Sequence, residues 1–404
     1  MDPACSTPAV AVGKGGAEEI PRDTPIVGQP VVALLTAAGR SALAVVGMFG
    51  GGSVEVLSSW FRPKGRPLVD RDAGQIVFGR WGLVEPGGGP TPGGIPPEDL
   101  VVVKRSSTSF EIHPHGGLAA SSRVLSDLES AGCRRLSWPE WLAATGCSEI
   151  EVEARLALSQ TTCPKAAAIL CRQLSSGLLE SEIDGIRRFA AEGNAAEAAR
   201  RVDRLLAWAP LGLRLARPWR VVVAGRPNAG KSSLVNALAG FARSLVSSEP
   251  GTTRDLVATR IVLDGWEIDL VDTAGLRDDP SGPIEQAGID RAREAALSAD
   301  LVLDVRDAGD FSVTADKREE RRKSLPFLTI LAKVDLPSVV IVAERSSRSE
   351  LPADAIRTST VTGEGIDTLA AAIVHRLVPH EPGSLDAVPF TPRQVAEIQS
   401  MVRR

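Results

Sequence analysis

The sequence predicts an α/β domain that is inserted in an α-helical domain and preceded by an α+β domain. A glycine-rich loop at 225–232 lies between an apolar run, 221–224, and a helix-like segment, 233–239, which is the strand, loop and helix order of an α/β unit. Apolar residues recur at spacings of three and four in several segments between 118 and 217, as amphipathic helices require. A chain of 404 residues is too long for one core and fits two or three domains.

Shifts in composition along the chain predict five segments. The first is rich in Gly, Ala and Pro and is predicted to be disordered, and a Gly- and Pro-rich loop at 85–97 is predicted to be mobile. The segments are a disordered N-terminus at 1–21, the α+β domain at 22–117, the first part of the helical domain at 118–217, the α/β domain at 218–380, and a linker with the second part of the helical domain at 381–404.

The loop at 225–232 reads GRPNAGKS and is a complete phosphate-binding loop. Its glycines let backbone N–H groups close around phosphates, the N-terminus of the following helix adds partial positive charge, and Lys231 adds a full one. A chance match in a glycine-rich chain is the alternative, and the strand before and helix after disfavour it. The predicted phosphate-binding residues are Asn228, Ala229, Gly230, Lys231, Ser232 and Ser233.

Two further motifs follow the phosphate loop in the order found in GTPases. Thr252 and Thr253 lie where a loop could place a hydroxyl on Mg²⁺ and the γ-phosphate, although alone this pair also fits an ordinary loop. Asp272 follows the apolar run 268–271, and the backbone N–H of Gly275 could contact the γ-phosphate. The three motifs predict an α/β P-loop GTPase domain that binds GTP or GDP. The predicted Mg²⁺ ligands are Ser232, Thr253 and Asp272.

The guanine-binding motif departs from its usual form. GTPases of this class carry Asn-Lys-x-Asp after a strand, whereas Ala-Lys-Val-Asp at 332–335 follows the apolar run 328–331. Asp335 can accept hydrogen bonds from guanine N1 and N2, and the Lys333 stem can lie over the base, but Ala332 provides no amide. One missing hydrogen bond costs on the order of 1 kcal/mol, so we expect weaker GTP binding and not its loss. The predicted base-binding residues are Lys333, Asp335, Ser359 and Thr360.

Together these motifs resemble, almost letter for letter, those of the tRNA modification GTPases called TrmE or MnmE. The matching stretches are GRPNAGKSSLVNALAG at 225–240, PGTTRD at 250–255 and DTAGLR at 272–277. In the N-terminal half, EIHPHGG at 111–117 matches the family's His-Gly-Gly signature, and 26–47 is similar to its opening strand. The resemblance implies a divergent member, because this sequence ends at Arg404 without the family's Cys-x-Gly-Lys tail.

The resemblance also implies how hydrolysis is catalysed. In the family an asparagine of the phosphate loop helps to hold K⁺ in place of an arginine finger, and Asn228 matches it. A K⁺ there would neutralise charge that develops between the β- and γ-phosphates. Glu285 matches the family's water-positioning carboxylate, with a solvated carboxylate at a helix start as the alternative. The predicted catalytic residues are Lys231, Gly275 and Glu285.

Partners are implied by the resemblance as well. Members act on the wobble uridine of tRNA with a flavin-dependent partner protein, and they pair as homodimers. Their N-terminal domain binds 5-formyl-tetrahydrofolate, which is only weakly implied here because RSSTSF at 105–110 replaces the family's Ser-Tyr-Thr-Gly-Glu-Asp stretch. Three hypotheses stay open: a tRNA modification enzyme, a GTP-switched regulatory relative without RNA chemistry, and a ribosome-assembly GTPase.

Two histidines in the N-terminal half are candidates for a metal site. His113 and His115 alternate along a strand and so share one face. No second cluster of His or Cys accompanies them at metal-ligand spacing, so a strand-end histidine bonded to backbone is the favoured interpretation. Gly116 and Gly117 are expected to let the chain turn tightly into a helix at 118–130.

Composition indicates a soluble, cytoplasmic protein. The five cysteines have no paired spacing, and with no secretory signal they are expected to be reduced thiols. No apolar run reaches the length of a membrane span, so no membrane partner is predicted. The net charge of −4 argues against indiscriminate nucleic-acid binding, while a local basic surface could still hold tRNA.

Overall fold

The computed structural model describes residues 28–37, 39, 41–82, 97–242, 258–272, 299–310, 326–336 and 355–401. These residues divide into two units, one that ends at Val152 and one that begins at Glu153. The predicted disordered segment 1–21 and nearly all of the predicted loop at 85–97 lie outside the described residues. Within the described ranges, no helix is both long and apolar enough to cross a lipid bilayer.

A seven-stranded mixed sheet forms the centre of the first unit. Its strand order is β3-β4-β5-β6-β2-β1-β7, and neighbours are antiparallel except β1 and β7, which are parallel. The elements in chain order are β1 (Val31–Leu34), β2 (Val46–Phe49), α1 (Ser53–Trp60), β3 (Phe61–Pro63), β4 (Ile76–Trp81), β5 (Glu98–Lys104), β6 (Ser109–His113), α2 (Leu118–Ser130), β7 (Arg134–Arg135) and α3 (Trp138–Ala144). The stretch 26–47, which resembles the family's opening strand, contains β1 and the first residues of β2, and these two strands pair antiparallel.

Helix α2 packs on this sheet. It buries Val124, Leu125 and Leu128 in the same apolar core as the strands. The indole of Trp81, fully buried on β4, donates a hydrogen bond of 2.9 Å to the Asp127 carboxylate of α2. The helical domain was predicted to begin at 118, whereas the division between the two units falls after Val152, and the apolar face of α2 is covered by the strands.

The second unit contains a six-stranded sheet and most of the helices. Helix α4 begins before Glu153 and continues into this unit. The sheet order is β13-β12-β11-β8-β10-β9, with parallel neighbours except β9 and β10. The elements are α4 (Glu149–Gln160), α5 (Pro164–Ser176), α6 (Leu178–Ala191), α7 (Ala195–Ala207), α8 (Ala209–Gly212), β8 (Trp219–Gly225), α9 (Lys231–Phe241), β9 (Ala258–Leu263), β10 (Trp266–Asp272), β11 (Leu301–Asp307), β12 (Phe327–Ala332), β13 (Ile356–Thr358), α10 (Ile366–Leu377) and α11 (Pro392–Ser400).

Strand β8 lies inside the second sheet, between β10 and β11. Its residues Val221, Val222 and Val223 have no exposed surface, which is why the sequence reads as a continuous apolar run and not as an alternating one. Because β8, β10, β11 and β12 are parallel, their carboxyl ends meet at one edge of the sheet, where ligands bind in open α/β sheets. This edge positions the loops that carry the sequence motifs.

The last helix contacts helices that precede the second sheet in sequence. Glu153 of α4 accepts hydrogen bonds of 2.8 Å from Nε and Nη2 of Arg393 on α11. Gln173 of α5, 4% exposed, donates to the carbonyl of Asp386 and accepts from the N–H of Val388. Residues on both sides of the sheet in sequence therefore pack together within the second unit.

Candidate functional site

The phosphate loop connects β8 to α9 at the carboxyl edge of the second sheet. At Gly225 a Cβ atom would lie 2.2 Å from the carbonyl oxygen of Val305, so only glycine lets this end of β8 lie so close to β11. Gly230 has a φ of 95° and is the residue immediately before α9. Asn228 also has a positive φ, 62°. The loop thus leads directly into the N-terminus of a helix, where backbone N–H groups have no partner within the helix.

Lys231 is enclosed by the loop that it terminates. Lys231 is only 6% exposed, and its Nζ donates a hydrogen bond of 2.9 Å to the backbone carbonyl of Arg226. Ala229, beside it in the loop, is 2% exposed, whereas Ser233 on the first turn of α9 is exposed. A buried ammonium group at a helix N-terminus provides the concentrated positive charge that phosphate groups require.

Ser232 and Asp272 are brought together by the pairing of β8 with β10. The parallel register places Asp272 opposite Val223, at the carboxyl end of its strand. There its Oδ2 accepts a hydrogen bond of 2.5 Å from the hydroxyl of Ser232. A hydroxyl and a carboxylate are hard oxygen ligands, and Mg²⁺ in nucleotide sites is usually held by one or two such groups together with phosphates. The chemistry of the two predicted ligands therefore fits Mg²⁺.

The residues after β12 lie next to the phosphate loop. Lys333 has a φ of 63°, and its Nζ donates hydrogen bonds to the carbonyl of Asn228, at 2.6 Å, and to Oδ2 of Asp307, at 2.8 Å. Ala332 is 2% exposed, while Asp335 is exposed. The Lys333 side chain thus joins the motif after β12 to the phosphate loop, and the Asp335 carboxylate is accessible to a ligand.

Ser359 and Thr360 begin the turn between β13 and α10. The Ser359 side chain is fully buried, and its oxygen accepts from the N–H groups of Val361 and Thr362, at 3.2 and 3.1 Å. The Ser359 hydroxyl therefore shapes the turn, whereas Thr360 is exposed. At Gly365, with a φ of 71°, a Cβ would lie 1.9 Å from the carbonyl oxygen of Arg357, so this close turn requires glycine.

The two histidines of the first unit do not share a ligand. His113, which ends β6, lies 3.3 Å from Oε2 of Glu111, and His115 lies 2.8 Å from Oε1 of Glu98. Both pair with carboxylates, so the expected partner, a backbone group, is replaced by an acidic side chain in each case. Among the described residues no group of three or more His, Cys, Asp or Glu is arranged to hold a metal ion.

Neither Gly116 nor Gly117 adopts a positive φ. Gly116 is instead required by crowding, because a Cβ there would lie 2.1 Å from the carbonyl oxygen of Ser41. Gly117 faces open space and has the extended conformation of a helix N-cap, with φ −81° and ψ 146°. A tight turn was expected at both glycines. The structure shows instead that two chain segments approach each other closely at Gly116.

Comparison with known proteins connects this geometry to a family. A model of the 50S ribosome-binding GTPase family matches residues 220–344. The tRNA modification GTPase MnmE of Symbiobacterium thermophilum is 32% identical over 384 residues, which cover 85% of this chain and 82% of that protein. The corresponding protein of Thermus thermophilus is 31% identical and covers 91% of this chain. The chain belongs to the tRNA modification GTPase MnmE family. It is therefore a GTPase, and GTP or GDP and Mg²⁺ are its ligands.

A comparison of solved structures finds the G domain of the T. maritima FeoB iron transporter, 28% identical over 40% of this chain. Its TM-score of 0.30 is too low to compare the two folds further.

In this MnmE-family GTPase, the predicted residues of the phosphate loop, Asp272 and the motif after β12 lie together at the carboxyl edge of the second sheet. Four others lie outside the described residues: Thr252, Thr253, Gly275 and Glu285. Asp307, which contacts Lys333 at the end of β11, was not predicted from the sequence. An aspartate that ends an apolar strand was its only signal, and that pattern also fits a solvated strand end.

Proposed function

We propose that this chain hydrolyses GTP at the carboxyl edge of the second sheet. The contact between Ser232 and Asp272 carries the proposal, because it places two magnesium-ligand oxygens from separate motifs at the mouth of the phosphate loop. In this arrangement Lys231 and the N-terminus of α9 bind the phosphates, and Asp335 accepts hydrogen bonds from guanine.

The remaining predicted residues complete the proposed mechanism. Thr253 would add a hydroxyl to the magnesium ion, Gly275 would donate its N–H to the γ-phosphate, and Glu285 would orient the attacking water. Bound Mg²⁺ supplies positive charge that stabilises the transferring phosphoryl group. Lys231 holds the phosphates in line for attack. The residues of the protein therefore act mainly by positioning the substrate.

We also propose that Asn228 helps to hold K⁺. The side-chain carbonyl of Asn228 offers an oxygen ligand for a cation, and the backbone carbonyl accepts a hydrogen bond from Lys333. K⁺ at this position would supply the positive charge that other GTPases obtain from an arginine finger. The family resemblance in the phosphate loop supports this role.

GTP hydrolysis in KCl and in NaCl at matched ionic strength tests the proposal. Because Asn228 has a positive φ, an alanine there would also strain the backbone, and Asn228→Gly is the better variant because it removes the side chain without that strain. We expect K⁺ stimulation in the wild type that is lost in Asn228→Gly and in Asn228→Ala. Hydrolysis that is indifferent to the cation in all three proteins would disprove the role of K⁺.

The cellular role that we propose is modification of the tRNA wobble uridine, together with a flavin-dependent partner protein. Similarity to tRNA modification GTPases over most of the chain supports it. Formation of a homodimer and binding of 5-formyl-tetrahydrofolate by the first unit are further parts of this proposal. Expression in a bacterial strain that lacks its own MnmE-family protein, followed by mass spectrometry of tRNA nucleosides, tests it. Unmodified uridine together with active GTP hydrolysis would favour the GTP-switched regulatory alternative.

A ribosomal role is a second candidate, favoured by the family model of 50S ribosome-binding GTPases that matches residues 220–344. The test is cosedimentation of the chain with 50S subunits in the presence of a non-hydrolysable GTP analogue, with GDP as the control. Nucleotide-dependent cosedimentation would support assembly or binding at the ribosome, and its absence would count against a ribosomal role.

We further propose that the GTPase domain is an insertion in the helical domain, which starts near α4 and is completed by α11. Hydrogen bonds from Arg393 to Glu153 and from Val388 to Gln173 support this arrangement, because they join segments on either side of the second sheet in sequence. Nucleotide-dependent movement of the sheet's loops would then act on a helical domain whose first and last segments are bonded to each other.

A further inference from the structure

Lys333 is held from two sides at the edge of the second sheet. Its Nζ donates to the Asn228 carbonyl in the phosphate loop and to the Asp307 carboxylate at the end of β11, at 2.6 and 2.8 Å. Two strand ends and the phosphate loop therefore meet at a single ammonium group. The direction of the Lys333 side chain is fixed by these two contacts together.

Asp307 is itself fixed in place. Its Oδ1 accepts a hydrogen bond of 2.9 Å from the N–H of Gly309, and Oδ2 faces Lys333. Burial by itself raises the pKa of Asp307, but the hydrogen bonds from Lys333 and Gly309 and the charge of Lys333 outweigh it and lower the pKa. The carboxylate is therefore ionised at neutral pH and remains a strong acceptor for the ammonium group.

Ala332 lies directly opposite Asp307 in the parallel pairing of β11 with β12. It is 2% exposed, and its Cβ lies 3.8 Å from the position that a Cβ on Gly230 would take. A methyl group can neither donate nor accept a hydrogen bond, so Ala332 cannot attach the end of β12 to the phosphate loop. Lys333 makes that connection instead, with a positive φ that is uncommon for a non-glycine residue.

We propose that Asp307 is a positioning residue for guanine recognition, and that the bridge from Asp307 through Lys333 to the phosphate loop replaces the amide missing at position 332. Lys333 lies two residues before Asp335 in the same short loop, whose middle residue Val334 is buried and donates its N–H to Thr358. An anchored Lys333 therefore fixes where the Asp335 carboxylate meets the base. This inference rests on the proposed nucleotide site.

A simple surface ion pair is the competing interpretation. The side chains of Lys333 and Asp307 are 35% and 26% exposed, and exposed pairs often contribute little to stability. The two interpretations differ in what loss of Asp307 changes. A surface pair would affect stability alone, whereas a positioning residue would affect how well the site distinguishes guanine from a base that lacks the 2-amino group.

Calorimetric titration of the full chain with GDP and with IDP, in buffer containing Mg²⁺, tests the proposal. IDP lacks the 2-amino group that Asp335 is proposed to bind. We expect Asp307→Ala to weaken GDP binding by about tenfold and IDP binding by less, so that the ratio of the two affinities falls. Asp307→Asn keeps the size of the side chain and a neutral acceptor, and it should show a smaller loss.

A second pair of proteins tests the replacement of the amide. In the background of Ala332→Asn, the further change Asp307→Ala should weaken GDP binding by less than about threefold, because the restored amide also attaches the end of β12 to the phosphate loop. Asp304→Ala is the matched control, since Asp304 lies on the same strand but pairs with Arg306. It should leave both affinities unchanged.

Three results would overturn the role of Asp307. They are an unchanged GDP affinity in Asp307→Ala, an equal loss for GDP and IDP, and the same loss with and without Ala332→Asn. Comparable circular dichroism melting curves for all variants are required, and the isosteric Asp307→Asn provides the comparison if the alanine variant unfolds. A wild-type chain that binds neither nucleotide would instead overturn the proposed nucleotide site itself.

Discussion

Glu153 of α4 and Arg393 of α11 form a two-point contact, with both carboxylate oxygens 2.8 Å from guanidinium nitrogens. The same carboxylate also accepts from the Thr391 hydroxyl and the Gln394 amide. Bidentate pairs are stronger than single-point ion pairs, because two parallel charge-assisted hydrogen bonds fix their geometry. This carboxylate therefore anchors the last helix to the helices that precede the sheet.

Glu153→Ala should release α11. Removing the acceptor of several charge-assisted bonds is expected to lower the free energy of local opening of α11 by about 2 kcal/mol. Hydrogen exchange of the amides at 394–400 measures this opening, and Glu153→Gln should show an intermediate loss. The matched control is Asp203→Ala, which removes an exposed carboxylate from α7. Unchanged exchange of α11 in Glu153→Ala would show that apolar packing alone holds the helix.

Asp335→Asn should change the nucleotide that the site prefers. The amide can donate to the 2-oxo group of xanthine but no longer accepts from both guanine N–H groups, so GTP binding should weaken while xanthosine triphosphate binding improves. Competition between the two nucleotides in an equilibrium binding assay measures the switch. Equal binding of ATP and GTP by the wild type would contradict the assignment of Asp335.

Gly116→Ala and Gly117→Ala should differ although the residues are adjacent. The added methyl group at 116 would meet the Ser41 carbonyl oxygen at 2.1 Å, whereas at 117 it would meet nothing within 4 Å. A forced backbone shift of this kind costs on the order of 1–3 kcal/mol, so we expect a lower thermal midpoint for the first unit only in Gly116→Ala. Matching midpoints for the two variants would contradict the crowding.

Cysteine alkylation should distinguish Cys133 from Cys171. Burial raises the pKa of the Cys133 thiol to about 11, while Cys171 is exposed on α5. The thiolate is the reactive form, so iodoacetamide at pH 8 should modify Cys171 in the folded chain and Cys133 only after denaturation. Peptide mass spectrometry measures both sites. Fast modification of Cys133 in the folded chain would show that the first unit opens readily.

The raised pKa of the Cys133 thiol also predicts how stability changes with pH. The folded state binds the Cys133 proton more tightly than the unfolded state, whose thiol titrates near its ordinary value of 9.0. This contribution is fully present below that value and is lost as the pH rises from about 9 towards about 11. Cys133→Ser should remove this part of the alkaline loss of stability, measured by urea unfolding at pH 8 and pH 10.

The phosphate loop and the elements that flank it follow from local sequence alone. Helix α2 was predicted with the bounds that the structure has, at 118–130. Such features are local, because the φ of Gly230, the apolar run of β8 and the periodicity of a helix depend on neighbours within a few residues. The GTPase assignment followed from these local motifs and is confirmed by the family relationship.

Contacts between distant segments depend on how the strands pair and how the helices pack. The pairing of β11 with β12 brings Asp307 to Lys333, and the packing of α2 on the first sheet places residues 118–130 in the first unit. Neither outcome can be predicted from spacing along the chain. A helix with an apolar face can pack on a sheet as well as on another helix. An aspartate at a strand end gains its role only from the residue that lies beside it. Strand register and packing supply that information.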